Sequence, residues 1–506
     1  MQLFDYQSRV LDDVRHAMRG GARSILMVLP TGSGKTVCGA HMIHSAESKG
    51  NPTLFTAHRR ELVNQTVDKL QRFGVQHGTI MAGKTPSLWH GVQVASVDTL
   101  RARCMSPRKK MELPRASILM VDEAHRSCSP TYTKLIDHYR KDSLVIGLTA
   151  TPIRGDGKGL GRHYDEMVVG PTVQELIDMG RLVQPEYFVP SIQDMTGVPI
   201  KKGDYVEKHL GQIMGTDEVI GDVVEHYRKL GKSPALLFAP DVKSSIGYME
   251  AFNRAGIPAA HIDASTPSDE RDRIIAGLLD GQFEVVSNVM VLTEGFDCPP
   301  VRTIIMCRPT RNLGLYLQIG GRGLRTFDGK DSCIIIDHSG NAYEHGKLEW
   351  DHDWKLTESE GCESREERQK KLDEKKPITC VQCSHMYTGQ LICPNCGHMP
   401  KKHGKMVESR QADLVELRTL ARQKKEHKDK PRVYTHEEKQ LFYSMALKYA
   451  EDRGHKEGSV AHKYKERFGV WPINMQKIAT DPSPEFMNFI THLNIRRAYR
   501  RKKEAA

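Results

Sequence analysis

Two short stretches have the residue types and spacing to handle a nucleoside triphosphate. Thr31-Gly32-Ser33-Gly34-Lys35-Thr36 follows the apolar run 24–30 and precedes a helix-compatible stretch. In such a turn consecutive backbone N–H groups point inward to hold phosphate oxygens, and glycine lets the chain bend tightly and approach the ligand. Lys35 then reaches the β- and γ-phosphates, and the Thr36 hydroxyl holds Mg²⁺. The strict pattern begins with glycine where this chain has Leu29, so the hexapeptide alone also fits an ordinary glycine-rich turn. Its partner is Asp122-Glu123-Ala124-His125, preceded by the apolar residues Ile118 to Val121. Both carboxylates emerge at the C-terminal edge of a buried strand, where open α/β sheets bind ligands. Asp122 is placed to hold Mg²⁺, Glu123 to orient and deprotonate an attacking water, and His125 to sense the nucleotide state.

A third group is Cys380-x2-Cys383 followed by Cys393-x2-Cys396. Four thiolates in two knuckles match a structural zinc ribbon, and a closed Cys₄ set leaves no open position for catalysis. His385 or His398 as a substitute ligand, or a pair of redox thiols, are the alternatives. The 24-residue segment 377–400 is too small to build a core alone, so the metal is expected to supply most of its folding energy. The remaining cysteines of an odd total of 11 are scattered, which argues for reduced thiols and against a disulfide framework.

The elements that must position these groups read as parallel strands alternating with amphipathic helices. Strand-like runs lie at 24–30, 53–57, 92–96, 117–123 and 144–150, then at 235–239, 259–263, 284–289, 301–307 and 332–337. A Pro- and Gly-containing stretch at 166–205 reads as the connection between two α/β blocks. The mixed-charge run 358–376 reads as a solvated helix or linker. Thr435 with Glu438 suggests a capping box, with Leu441, Phe442, Met445 and Tyr449 on one helix face. A second helix would gather Val460, Tyr464 and Phe468 and end at Gly469.

The motifs in this order resemble a superfamily 2 helicase. Thr149-Ala150-Thr151-Pro152 looks like the motif coupling hydrolysis to nucleic-acid binding. The 57–62 and 96–99 segments look like contacts to the tracking strand, which implies Arg59, Arg60, Ser96 and Thr99 as nucleic-acid residues. Thr293-Glu294-Gly295-Phe296-Asp297 and the 318–325 segment match the last two motifs, implying Gly295 and Asp297 at the nucleotide. Tyr6-Gln7 resembles the adenine-recognition motif, with Phe4-Asp5 where Arg-Pro is common. Arg322 and Arg325, three apart and expected on one helical face, are suited to stabilise charge spreading over the γ-phosphate oxygens.

The engine, the Cys₄ ribbon and the segments 150–161, 442–443 and 463–472 together look like the RadD family of bacterial and phage DNA-repair ATPases. That resemblance implies two tandem RecA-like domains, a small zinc ribbon and a helical basic C-terminal domain. The expected divisions are 1–165 (ATP-binding), 166–205 (connection), 206–345 (second RecA-like domain), 346–376 (charged linker), 377–400 (ribbon) and 401–506 (basic helical region). It further implies ATP, Mg²⁺ and Zn²⁺ as cofactors, DNA as substrate, and single-strand-binding protein and a RecA-type recombinase as partners. A duplex translocase that never separates strands, a DNA-binding scaffold using ATP as a switch, and an RNA helicase remain open at the level of residues.

Charge separates motor from appendage. Lys+Arg and Asp+Glu balance at 49 each over residues 1–400 but stand at 25 against 14 over 401–506, so the whole +11 belongs to the last fifth. Clusters at 401–430 and 496–503 suit phosphate backbones, an acidic partner peptide, or plain solvation. No run approaches the roughly 18 apolar residues of a membrane span, and the acidic N-terminus lacks the pattern of a secretory signal. The expected setting is cytoplasmic.

Overall fold

The computed structural model describes residues 2–359 except 191, 192, 196 and 202; then 362, 367 and 377–399 except 389 and 391; then 435–483 except 456, 457 and 469; and finally 486, 487, 490 and 493. The chain divides into two compact units, residues 1–414 and 415–506.

Unit one holds two parallel sheets. The first contains β1 (Ser24–Val28), β2 (Thr53–Ala57), β3 (His77–Ile80), β4 (Val92–Ser96), β5 (Ile118–Asp122), β6 (Leu144–Thr149) and β7 (Glu166–Val169) in the order β3-β4-β2-β5-β6-β1-β7. Its helices are α1 (Asp5–Arg19), α2 (Lys35–Glu47), α3 (Arg60–Arg72), α4 (Val97–Cys104) and α5 (Pro130–Tyr139). β1, β2 and β4 are buried along their whole length, as expected where helices cover both faces of a parallel sheet. Register aligns the functional ends: Val28 pairs with Thr149, and Asp122 with Leu148. The phosphate loop, the acidic pair and the Thr149 motif therefore leave the sheet side by side.

The helix α6 (Val173–Asp178), closed by a Thr172/Glu175 capping box, leads to the second sheet. There β8 (Gln184–Phe188) is followed by a small antiparallel hairpin, β9 (Ile200–Lys201) and β10 (Asp204–Tyr205). The sheet continues with β11 (Ala235–Phe238), β12 (Ala259–Ile262), β13 (Val285–Asn288), β14 (Thr303–Met306) and β15 (Ser332–Asp337), in the order β12-β13-β11-β14-β15-β8. Its helices are α7 (Glu207–Met214), α8 (Asp217–Leu230), α9 (Val242–Arg254), α10 (Ser268–Leu279), α11 (Leu313–Gly321) and α12 (Asn341–His345). The stretch 166–205, read from sequence as a connection, thus gives an edge strand to each sheet.

After α12 the chain turns back. Leu348 N–H donates to the Tyr187 hydroxyl (2.6 Å), which itself donates to Glu349 (2.7 Å). Trp354 then packs against the cores of both lobes, and Gly161 N–H donates to the Thr357 carbonyl. The lobes are joined twice, by the α6 segment and by this strap. The run 358–376 lies almost wholly outside the described residues.

The cysteine segment forms the ribbon strands β16 (Ile378–Thr379) and β17 (Met386–Tyr387). It docks on the edge strand β8: Val189 N–H donates to the Ser384 carbonyl, and the Phe188 and His385 rings pack 5.3 Å apart.

In unit two, α13 (His436–Asp452) starts with the expected Thr435/Glu438 capping box, and α14 is Gly458–Phe468. Val460, Tyr464, Phe442, Met445 and Tyr449 share one core. Leu441 does not join its expected face; it is 52% exposed. The basic stretches 401–430 and 496–503 lie outside the described residues.

Tyr187 is 1% exposed, and removing its hydroxyl leaves the buried Leu348 N–H without its acceptor. Tyr187→Phe should cost the second lobe about 1–3 kcal/mol, measured as a lower urea midpoint; an unchanged midpoint would show that the strap is not held there.

Candidate active site

The phosphate loop leaves β1 through Leu29, whose N–H still pairs with the Thr149 carbonyl. Leu29 thus extends the strand where the strict pattern has glycine. Gly34 caps α2 with φ 86°, and a Cβ there would meet Gln7 Nε2 at 2.5 Å, so only glycine fits. Gln7 Nε2 and the Tyr6 hydroxyl both donate to the Ser33 carbonyl, at 3.1 and 2.7 Å. The Arg181 guanidinium stacks 3.6 Å from the centre of the Phe4 ring.

Lys35 Nζ donates to the carbonyl of Leu29 (3.2 Å) at the start of the loop. Burial pulls its pKa down, opposed by the nearby charges of Glu123 and Asp122. Burial, then the Glu123 charge, pushes Asp122 up. Glu123 has φ 50°, an uncommon conformation for a non-glycine residue and one that concentrates at functional sites. Its buried Oε2 lies 3.3 Å from His125 Nδ1. A crowded acidic pair facing a lysine across a glycine turn fits Mg²⁺ with nucleotide phosphates, through Thr36 and Asp122.

The second lobe closes on this surface. A Cβ on Gly321, the last residue of α11, would lie 2.7 Å from Thr31 Cβ, and one on Gly32 would lie 3.4 Å from Arg325 Cγ. Arg322 and Arg325 do not share a helical face. The helix stops at Gly321 with Arg322 as its cap, and Arg325 forms a bridge to Leu182. They converge nonetheless: both donate to the Phe296 carbonyl, at 2.6 and 3.1 Å, and Arg322 Nε donates to Thr293. Asp297 pairs with Arg325 at 3.1 Å, and the Gly295 carbonyl accepts from Gln65 of the first lobe.

Glu294 is the centre of the contact between lobes. It is 5% exposed, and among the described residues its ion-pair and histidine partners all come from the first lobe: His58 (2.7 Å), Arg126 (3.0 Å), His125 (3.4 Å) and Arg59 (3.5 Å). Burial would raise its pKa, but the bonds from His125 and His58 hold it far below the usual carboxylate range. Arg59, expected as a strand contact, donates to Val291 and Met290 of the other lobe. Arg60 is exposed, while Ser96 and Thr99 are 9% and 7% exposed. Sequence reasoning found the Thr293–Asp297 motif but gave Glu294 no role, and it passed over Arg126 and Gln65, whose partners are far away in sequence.

The four cysteines also converge. Their sulfurs lie within 4.8 Å of one another, with Cys380–Cys396 and Cys383–Cys393 at 3.6 Å. Zn–S arms of about 2.3 Å give a tetrahedral edge of about 3.8 Å, so the set fits Zn²⁺. Neither His385 nor His398 joins it.

Two parallel sheets facing one another, with a phosphate loop and carboxylates on one and arginines on the other, define a two-lobed nucleotide-driven motor. The family described as Type III restriction enzyme, res subunit, matches residues 1–154, and the Helicase conserved C-terminal domain matches 218–327. A "51.5 kDa protein" of a Lactococcus phage is 34% identical over 76% of this chain and 81% of its own length. The "Putative ATP-dependent helicase IRC3" of Saccharomyces cerevisiae is 32% identical over 67% of this chain, which spans 51% of that protein. Among solved structures, a fragment of a putative HsdR subunit of a type I restriction enzyme from Vibrio vulnificus superposes with a TM-score of 0.52 at 18% identity, covering 67% of this chain and 65% of that one. The chain belongs to the superfamily 2 helicases and is an ATP-hydrolysing enzyme.

His125 lies between Glu123 and Glu294. Burial lowers its pKa, but the bonds to both carboxylates outweigh burial and raise it to about 9. A raised base stabilises fully below its unfolded value of 6.5 and loses that contribution as pH rises through about 9. Between about pH 6.5 and 9 the thermal midpoint of the wild-type chain should fall more than that of His125→Gln; parallel curves would show that the imidazolium does not tie the lobes.

Proposed function

We propose that this enzyme uses Mg-ATP hydrolysis to move along or remodel DNA in repair or recombination, as a RadD-like member of its superfamily. The observation that carries the reading is the approach of Arg325 to Gly32 of the phosphate loop, with Arg322 held beside it on the shared Phe296 carbonyl, while Glu294 of the same lobe pairs with His125 beside Glu123. In this reading the first lobe, 1–165, binds ATP. Gln7 recognises adenine, while Gly32, Ser33, Gly34 and Lys35 hold the phosphates. Thr36 and Asp122 hold Mg²⁺, which supplies neutralisation of phosphate charge when bound. Glu123 orients and deprotonates the attacking water, and Arg322 and Arg325 from 206–345 stabilise charge developing on the γ-phosphate. Gly295 and Asp297 complete the second-lobe wall. Loss of that charge after hydrolysis weakens the closed arrangement, and repeated closure shifts the bound strand.

DNA as the substrate is supported by relatives. The "DNA 3'-5' translocase XPB2" of Sulfurisphaera tokodaii is 24% identical over 68% of this chain. Arg59, Arg60, Ser96 and Thr99 are the first-lobe strand contacts in this reading, with Arg59 exchanging its second-lobe carbonyls for phosphate. Zn²⁺ on Cys380, Cys383, Cys393 and Cys396 holds the 377–400 ribbon on β8, and the 401–506 region recruits DNA, single-strand-binding protein or a RecA-type recombinase. A cytoplasmic setting, in a bacterium or a phage host, accords with the phage relative. No helix among the described residues is long and apolar enough to cross a membrane.

ATP turnover should rise with single-stranded or forked DNA, and Lys35→Ala or Glu123→Gln should lower it at least about 10²-fold. Stimulation by RNA alone would overturn the substrate. Translocation without displaced strand on forks would favour a duplex translocase, and intact repair with Lys35→Ala would favour a scaffold.

Truncation near residue 400 should remove most salt-sensitive DNA affinity and flatten the plot of log affinity against log salt while basal ATPase persists. An unchanged slope would show that the tail charge only solvates.

A further inference from the structure

Lys330 lies outside every motif singled out above, in the loop between Arg325 and β15. It is 5% exposed, which is rare for a lysine without an ionic partner, and among the described residues no carboxylate lies within ion-pair distance of it. Its ammonium instead donates to three backbone carbonyls: Gly323 (2.6 Å), Arg325 (2.8 Å) and Pro299 (3.0 Å). Three N–H donors thus meet three acceptors, which satisfies the group completely.

The identity of those carbonyls gives the arrangement its meaning. Two belong to the turn that carries Arg322 and Arg325. The third ends the 293–299 loop, whose Phe296 carbonyl receives both arginines and whose Glu294 binds the first lobe. Loop and turn have no regular ladder between them; side-chain bonds set their separation. The base of the clamp is itself fixed, because Lys330 N–H donates to Phe327 and Arg302 holds the Gly329 carbonyl at 2.7 Å.

We propose that Lys330 is a positioning residue for ATP hydrolysis, its ammonium locking the 293–299 loop to the 322–325 turn so that both arginines face the phosphate loop. The inference rests on the proposed role of those arginines. A methionine would fill the same space, but it would leave three buried carbonyls without their donor, each a cost larger than the net value of an ordinary hydrogen bond. The groups facing the ammonium are Arg325, Arg302, Cys333 and Cys298. Burial, with the two arginines against it and the two thiols for it, lowers the pKa of Lys330 to about 8. The clamp is therefore complete below about pH 8 and loses a donor as pH rises through that value. Arginine at the same position stays protonated throughout.

The test uses the full chain with poly(dT) as activator and follows steady-state ATP turnover in wild type, Lys330→Met, Lys330→Arg, Arg325→Ala and the Arg325→Ala/Lys330→Met double variant. Lys330→Met should lower kcat about 10-fold or more, with KM for ATP within about twofold. Lys330→Arg should recover part of that loss and move the falling limb of the kcat–pH profile upward from about pH 8. The double variant should lose less than the product of the two single losses, since Arg322 alone is left for the clamp to position. Wild-type kcat in Lys330→Met, losses that multiply in the double variant, or an unmoved limb in Lys330→Arg would each overturn the proposal. If Lys330→Met fails to fold, as judged by circular dichroism, the limb in Lys330→Arg decides alone. Wild-type kcat in Arg325→Ala would instead sink the arginine reading beneath it.

Discussion

The arrangement of this motor depends on one buried charge. Glu294 belongs to the second lobe, yet the groups that pair with it, His58, Arg59, His125 and Arg126, come from the first. An ionised carboxylate is costly to bury unless it is paired and hydrogen-bonded. The second lobe can keep Glu294 charged and dry only by pressing against the first. A buried ion pair of this kind contributes little to stability compared with an apolar substitute, but it discriminates strongly against a wrong register. His125 makes that register chemically informative. One imidazole touches the carboxylate beside the phosphate loop and the carboxylate of the opposing lobe, so a change of charge at Glu123 alters what holds Glu294.

Close approach makes the pairing possible. Gly321 lets the end of α11 rest on Thr31, and Gly32 leaves room for Leu182 and Arg325 against the phosphate loop. These glycines put rigid backbone where side chains would hold the lobes apart, leaving the long arginines to cover the remaining distance. The strap after α12 adds a constraint of another kind: the half-buried Trp354 packs against both cores, so separation of the lobes must strip apolar surface as well as charge.

Much of this was legible in the sequence, for a physical reason. All ten expected strands form: nine are central strands of a parallel sheet, buried on both faces and read as apolar runs, and the tenth is the edge strand β12. The phosphate loop and acidic pair were legible for the same reason, since each begins where such a run ends. The edge strands β3, β7 and β8 were not. They are short and partly solvated, and β8 includes Pro185, which an edge tolerates and a central strand does not. Arg325 was expected on the face of Arg322 because spacing alone cannot show that the Gly320-Gly321 pair ends the helix. Glu294 lies in a legible motif but nothing local points to its partners, and Lys330 carries no local signal at all. Their meaning lies in partners brought together only by the fold, in carbonyls as much as in side chains.

That distinction bears on the uneven charge. The first 400 residues carry equal numbers of basic and acidic side chains, and many of their cations near the cleft are already engaged. Arg59 holds Met290 and Val291, Arg126 holds Glu294, and Arg271 pairs with Glu61 across the lobes at 2.9 Å. A polyanion reaching this surface competes with the second lobe for the same guanidinium groups, and Arg60 is exposed beside them. If Arg59 is a strand contact, as proposed, strand binding and cleft closure draw on one set of charges, which would give a direct electrostatic route for each to influence the other. A motor built so gains little from extra cations at its cleft, because unpaired ones would weaken the selectivity of the closed register. Placing the surplus beyond residue 400 leaves that internal balance intact.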